Sequence, residues 1–149
     1  MVSPQQPGAW FEYLVRVQPH HTDYAGVVWH GSYLQWMEEA RIAAFREVGV
    51  EFADLVQLGC DLPVTELSIQ YHQPMTMGAI AIVKSRIRSK TKVRIYWDQH
   101  IYAPETPAPC VTTTLTLVPV NRVEARIIRQ LPAQVQVAIE QIMAPSRGT

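Results

Sequence analysis

Fourteen consecutive positions hold much of the reactive chemistry of this chain: His20-His21-Thr22-Asp23-Tyr24-Ala25-Gly26-Val27-Val28-Trp29-His30-Gly31-Ser32-Tyr33. They contain one carboxylate, three histidines, two glycines and three large aromatics. A segment that only turned the chain would need the glycines but not that density of reactive groups. Asp23 is the residue able to deliver oxygen to an electrophilic carbon. Its carboxylate can attack as a nucleophile or act as a base on water, and the sequence does not choose between the two. A lone loop aspartate is more often a turn or cap group. The case for Asp23 as part of a hydrolytic site therefore rests on what surrounds it.

A helix start follows it. From Ser32 to Val48, the residues Tyr33, Met37, Ala40, Ala44 and Val48 recur at spacings of three and four, which predicts a helix with a broad apolar face. Ser32 with Gln35 fits a capping box, and Gly49 fits a C′ residue. The first N–H groups of a helix are unpaired and carry partial positive charge. An oxyanion placed there needs no cationic side chain. Gly26 and Gly31 suit either a close backbone approach or ordinary turns. Tyr24, Trp29 and Tyr33 suit either pocket walls or core, as do Trp36 and Met37. His20, His21 and His30 lack a second anchored ligand pair, so no metal is expected and His20 and His21 are expected to be hydrated. Glu38 and Arg41, three apart on the helix, predict an ion pair.

The elements that must position this stretch are mostly strands. Phe11 to Gln18 alternates, with Phe11, Tyr13, Val15 and Val17 on one side, and Pro19 ends it. After the helix, residues 50–62 read as an irregular connection with a short helical turn. Four β-type segments follow as a meander: Leu62–Gln73, Ala79–Ser89, Val93–Tyr102 and Cys110–Val120. Lys90-Thr91-Lys92 is a tight link between the middle two. Leu131 to Met143 returns to helical spacing. The expected class is α+β, a largely antiparallel sheet with the long helix against one face. A single domain over residues 1–149 is expected, with residues 1–9 as a loose leader.

Composition bounds the function. The chain has 149 residues, 48% hydrophobic and 17% charged, and no net charge, which fits a packed domain rather than a nucleic-acid or membrane-surface binder. Cys60 and Cys110 have no CxxC spacing, so reduced structural thiols are expected. No apolar run approaches a membrane span and no signal-like h-region is present, so a soluble cytoplasmic protein is expected.

The pattern Thr22-Asp23-x-Ala25-Gly26-Val27-Val28-x-His30-x-x-Tyr33, followed by Glu38-x-Ala40-Arg41, resembles the hotdog-fold acyl-CoA thioesterases. The closest branch is that of 4-hydroxybenzoyl-CoA thioesterase and the YbgC-like enzymes. The derived element order matches that fold over about residues 11–122. The resemblance implies an antiparallel sheet wrapped around one long central helix. It implies a homodimer joined edge to edge, often a tetramer, with active sites at the interface. Asp23 becomes the catalytic carboxylate, with His30 orienting the thioester or water. A backbone N–H near His30 receives the thioester oxygen, and Gly26, Trp29, Gly31 and Tyr33 become the oxyanion and acyl surroundings. The implied reaction hydrolyses an acyl-CoA to acid and free CoA, and no cofactor is expected. Action on an acyl carrier protein, or acyl-CoA binding without hydrolysis, are the alternatives; the Asp23 carboxylate argues against the second.

Lys84, Arg86, Arg88, Lys90, Lys92 and Arg94 are six of the thirteen basic residues, packed into eleven positions with no acid among them. Even spacing puts Lys84, Arg86 and Arg88 on one face of a strand. A solvated sheet face is the plain explanation. Six unrelieved cations would also suit a bound anion, and CoA carries phosphates that Arg and Lys bind well. The resemblance points to CoA contact at Arg88, Lys90 and Lys92. Nucleic acid is not expected, because no stacking aromatics interleave the cations.

Overall fold

The computed structural model describes residues 9–144. The expected leader lies outside the described residues apart from Ala9. In chain order the elements are β1 (Phe11–Arg16), a 3₁₀ turn (Pro19–His21), α1 (His30–Glu47), α2 (Phe52–Gln57), β2 (Cys60–Asp61), β3 (Val64–Tyr71), β4 (Ile80–Lys90), β5 (Ile95–Tyr102), β6 (Val111–Leu117), β7 (Val120–Asn121) and α3 (Ala133–Met143). Five strands form one sheet in the order β1-β4-β5-β6-β3, and every neighbouring pair is antiparallel. The α+β reading therefore holds. The short β2 and β7 pair separately.

The four strands β3 to β6 are not a simple meander. β3 pairs with β6 and forms the far edge, instead of lying beside β4. The connection from β3 to β4 crosses the sheet's end, where Met75 is buried and its carbonyl accepts the Val28 N–H at 2.9 Å. Gly78, at φ +88°, turns the chain into β4. β1, β3, β5 and β6 are also shorter than the patterns suggested, while β4 keeps its expected length and runs one residue further, into Lys90. β5 starts at Ile95, because residues 91–94 close a turn through Thr91 N–H to Arg94 O at 2.9 Å.

α1 lies across β1 and β4 on one face of the sheet. Its Tyr33, Trp36, Met37, Ala40, Ala44 and Phe45 are buried, and the two alanines let the helix come close to the strands. Below them β4 turns Ala81, Val83 and Ile87 inward, and β5 turns Ile95, Trp97 and Ile101. The core has two lobes, one at each end of α1. Trp36, Met37, Val83 and Ile101 pack at the N-terminal end. Phe45, Trp97, Leu115 and Val135 of α3 pack at the C-terminal end. Trp36 and Met37 are thus core rather than pocket wall. Among the described residues, the first turn of α1 reaches β3 at Tyr71, and the inward side chains Leu67 and Tyr71 stay 43% and 51% exposed. No helix among the described residues is long and apolar enough to cross a membrane.

The expected ends of α1 differ at one side only. Gly49, at φ +88°, is left-handed as a C′ residue should be. At the other end the helix starts at His30, with Trp29 as N-cap and no side-chain cap. The Ser32–Gln35 capping box is absent, because the Ser32 hydroxyl donates instead to the His21 carbonyl at 2.9 Å.

Candidate active site

Asp23 sits at the tip of a small hairpin. Thr22 and Val28 form an antiparallel bridge, and the Asp23 N–H donates to the Val27 carbonyl at 2.8 Å. One carboxylate oxygen, Oδ1, accepts the Ala25 N–H at 2.9 Å and the Val27 N–H at 3.2 Å. This is the turn role expected of a loop aspartate. It occupies one oxygen. Oδ2 has no partner among the described residues, and Asp23 is exposed. The two readings of Asp23 are compatible, one on each oxygen. Gly26 makes the hairpin possible: its φ is +78°, and nothing lies within 4 Å of where a Cβ would stand. Its reason is backbone conformation, not crowding.

The hairpin is tied to the helix start. The Trp29 N–H donates to His21 O at 3.2 Å, and Val27 bridges to Thr76. His21 is not simply hydrated. Its Nδ1 accepts the Gln18 N–H at 2.9 Å, and its ring meets Trp36 edge-on at 5.0 Å. Burial, and then neighbouring His20, lower its pKa below the ordinary histidine value.

Ahead of the helical ladder, the N–H groups of His30 and Gly31 donate to no described residue. They are the donors an oxyanion would use. A Cβ at Gly31 would overlap the Trp29 indole as it lies here, so a larger residue would push that half-exposed ring aside. The close approach at Gly31 is therefore by Trp29, which folds back over the first turn.

A cavity of about 310 Å³ opens beside the helix start, lined by Val28, His30, Tyr33, Tyr71, His72 and Gln73 among others. Of the sequence-derived pocket residues, Tyr33 and His30 line it; Gly26, Trp29 and Gly31 do not. Tyr24 is fully exposed. Tyr33 packs on Trp36 at 5.5 Å and on Tyr71 at 5.8 Å. Burial pushes its phenol pKa up to about 12, partly offset by a Met75 backbone hydrogen bond. It stays neutral near pH 7 and serves as wall rather than base. Sequence reasoning missed Tyr71, His72 and Gln73. Tyr71 lies 6.1 Å from His30, and His72 Nε2 lies 2.9 Å from the Thr112 hydroxyl. The available signal was a cluster of polar and aromatic residues ahead of Pro74, where the strand ends.

The basic cluster is not as unrelieved as its sequence suggested. Asp98, with its side chain 8% exposed, lies on β5 between two guanidinium groups, 3.2 Å from Arg86 Nε and 3.2 Å from Arg88 Nε. Arg86 also stacks on Trp10, and Arg88 on Tyr96. Lys84 reaches Glu12 at 3.7 Å. Acids absent from the run are supplied by neighbouring strands, so Arg88 is already engaged. Lys90, Lys92 and Arg94 have no carboxylate within 4 Å among the described residues. These cations lie at the opposite end of the sheet from the Asp23 hairpin. Lys90 shares a row with Ile95, Leu117 and Val64, whereas Tyr71 shares one with Val111, Ile101 and Val83. Seven residues along and three strands across separate the two corners, roughly 27 Å.

The expected Glu38–Arg41 ion pair does not form. Arg41 turns inward and donates to Gln99 Oε1 at 2.8 Å. Gln99 is fully buried and donates in turn to the Met37 carbonyl and the Ser85 hydroxyl, both at 2.9 Å. Burial draws the Arg41 pKa down to about 10, opposed by the charge of Glu38. No group of three or more His, Cys, Asp or Glu among the described residues is placed to hold a metal ion.

Residues 25–110, more than half of the chain, match the family model of the thioesterase superfamily. The chain belongs to the thioesterase superfamily. The match begins two residues after Asp23. This thioesterase is 52% identical over 127 residues to sll0410 of Synechocystis sp., named as a presumed esterase; the alignment covers 85% of this chain and 76% of that one. It is 26% identical over 95 residues to the acyl-CoA thioester hydrolase YbgC of Escherichia coli, covering 64% and 71%. Its fold matches the crystal structure of Slr0204, a 1,4-dihydroxy-2-naphthoyl-CoA thioesterase from Synechocystis, with TM-score 0.80 and 25% identity over 89% and 97% of the two chains. The hotdog architecture inferred from the sequence is thereby shown.

Proposed function

We propose that this thioesterase hydrolyses an acyl-CoA thioester to the free acid and coenzyme A, using Asp23 and no resident metal. The observation that carries the site is the hairpin that holds Asp23 by one oxygen and leaves the other free, tied to a helix start with two undonated amides. The thioester carbonyl oxygen points at the His30 and Gly31 N–H groups. Asp23 Oδ2 either attacks the carbonyl carbon or takes a proton from the attacking water. The CoA thiolate leaves and is protonated from water. In the nucleophilic route a second water then opens the mixed anhydride. His30 and Tyr33 bound the acyl side.

The working unit is a homodimer paired through β3. That strand is a sheet edge with an apolar, half-exposed inner face, and such edges pair. A two-fold axis near the middle of β3 places the Val64 end of one chain beside the Tyr71 end of its partner. Lys90 then lies about four strand spacings, roughly 19 Å, from the partner's site, compared with roughly 27 Å from its own. Lys90 and Lys92 hold CoA phosphates across the interface, and Arg88 serves mainly to balance Asp98.

Thiol release from butyryl-CoA and benzoyl-CoA, measured in the presence of EDTA, tests the reaction. Release that is lost in Asp23→Asn supports it. Binding of both esters without release would make the protein a non-hydrolytic binder. Release confined to acyl carrier protein substrates would move the reading to a carrier thioesterase, whose acidic partner Lys90, Lys92 and Arg94 would suit equally.

A further inference from the structure

A second cavity lies at the other end of α1, between α1, α2 and the segment leading into β3. It has a volume of about 100 Å³. Ile42, Phe45, Val50, Leu55, Leu62 and Leu117 make its walls apolar, and Glu38, Arg41 and Asp61 bring charge to its margin. Arg41 is held by Gln99 and Asp61 by the Leu62 N–H, so neither needs a ligand. Nothing in the single-chain site uses this space, and within one chain it is distant. Leu117 shares the Val64 row, seven residues along the sheet from Tyr71, or roughly 23 Å.

Antiparallel pairing of two β3 edges changes that distance. Leu117 sits on β6, next to β3. It would lie two strand spacings, roughly 10 Å, from Tyr71 of the partner subunit. We infer that this cavity receives the distal carbons of an unbranched aliphatic acyl chain whose thioester is bound at the other subunit's Asp23. The inference rests on the acyl-CoA thioesterase reading and its β3-paired dimer. An apolar walled space suits methylenes, and Leu117, one of its walls, is the lining residue that the dimer brings towards the neighbouring site. The volume sets the scale. At close to the roughly 30 Å³ that a water occupies in the liquid, about three carbons fit.

The size of the effect follows. A buried methylene is worth about 0.8 kcal/mol, or about fourfold in kcat/KM. Across a straight-chain series from butyryl-CoA to lauroyl-CoA, about three successive lengths should each raise kcat/KM about fourfold, on either side of a flatter profile. Ile42 is only partly buried, so Ile42→Trp can fill the cavity without rebuilding the core. This variant should keep butyryl-CoA turnover within about twofold and lose most of the longer-chain gain, some tens of fold.

Mixing decides whether the cavity serves the other subunit. Asp23→Asn homodimers should be inactive on every length, and Ile42→Trp homodimers active only on short chains. Co-refolded mixtures contain heterodimers in which the intact Asp23 faces the intact cavity of the other chain. They should recover long-chain turnover that neither parent shows. A mixture with no such recovery, or a wild-type profile flat in chain length, would overturn the proposal while leaving butyryl-CoA hydrolysis intact. Failure of wild-type protein to hydrolyse butyryl-CoA would instead remove the thioesterase reading beneath it.

Discussion

At the scale of single residues, Asp23 shows how one side chain can meet a structural and a chemical need together. Oδ1 closes the hairpin through two backbone N–H groups, and Oδ2 has no partner among the described residues on this exposed side chain. Asparagine keeps the first function and removes the second. Asp23→Asn should lower kcat by at least two orders of magnitude while leaving the melting temperature nearly unchanged. Asp23→Ala should match that loss and also cost about 1–3 kcal/mol of stability, as two hydrogen bonds go. Paired activity and thermal-melt measurements check this, and normal turnover in Asp23→Asn would remove the carboxylate from the mechanism. His21 adds a pH dependence. Its Nδ1 must be unprotonated to accept the Gln18 N–H, and burial lowers its folded pKa. The unfolded chain therefore binds the proton more readily than the folded one. This contribution to stability is fully present well above the unfolded value of about 6.5 and is lost as pH falls through and below it. An NMR titration should place the His21 midpoint below 6.5, and a midpoint at or above that value would contradict the hydrogen bond.

At the scale of elements, the sequence was legible wherever a periodic pattern met a single environment. β1 alternates as its residues suggested, and α1 shows the apolar face that its spacings of three and four required. Patterns failed where a partner remote in sequence decided the outcome. Ser32 is bonded to the His21 carbonyl rather than forming a capping box. The charge run looked uncompensated because Asp98 and Glu12 lie on other strands. Arg41 reads as the partner of Glu38 three residues away, yet it reaches Gln99, 58 positions on. Strand order is of the same kind, since nothing local tells β3 to pass β4 and pair with β6. The Arg41–Gln99–Met37 chain has an energetic consequence for the element it holds. Gln99 fastens α1 to the sheet at mid-helix and satisfies a largely buried charge. Gln99→Leu should cost about 1.5–3 kcal/mol, the range for a hydrogen bond to a charged group, with the Met37 carbonyl and Ser85 hydroxyl also losing their donor. Urea denaturation measures it. Arg41→Met combined with Gln99→Leu should recover much of that loss, because the uncompensated charge goes too.

At the scale of the whole molecule, the two ends of the sheet have opposite characters. The Asp23 hairpin, the helix start and the aromatic cavity occupy one end; the free cations Lys90, Lys92 and Arg94 occupy the other. In one chain the two lie roughly 27 Å apart, and the proposed pairing of two β3 edges would shorten that distance. Leu67→Asp puts a charge in the middle of that edge. If the proposed β3-paired dimer forms, this change should give a monomer in sedimentation analysis and lower kcat/KM for acyl-CoA by at least 100-fold. A monomeric wild-type protein with full activity would contradict the shared site. The cations then make a separable contribution. Charge reversal at Lys90 and Lys92 should raise KM for the intact CoA ester several-fold and leave KM for a pantetheine thioester, which lacks the nucleotide phosphates, within about twofold. The wild-type KM for the CoA ester should rise with ionic strength, because exposed charges are screened within roughly 8 Å at physiological salt. The double variant should lose most of that salt dependence. If instead both substrates weaken equally, the two lysines support the turn between β4 and β5 and not the leaving group. In heterodimers, a chain with reversed cations paired with an Asp23→Asn chain should show wild-type KM at its one working site, because in the proposed dimer that site draws its lysines from the chain that cannot attack.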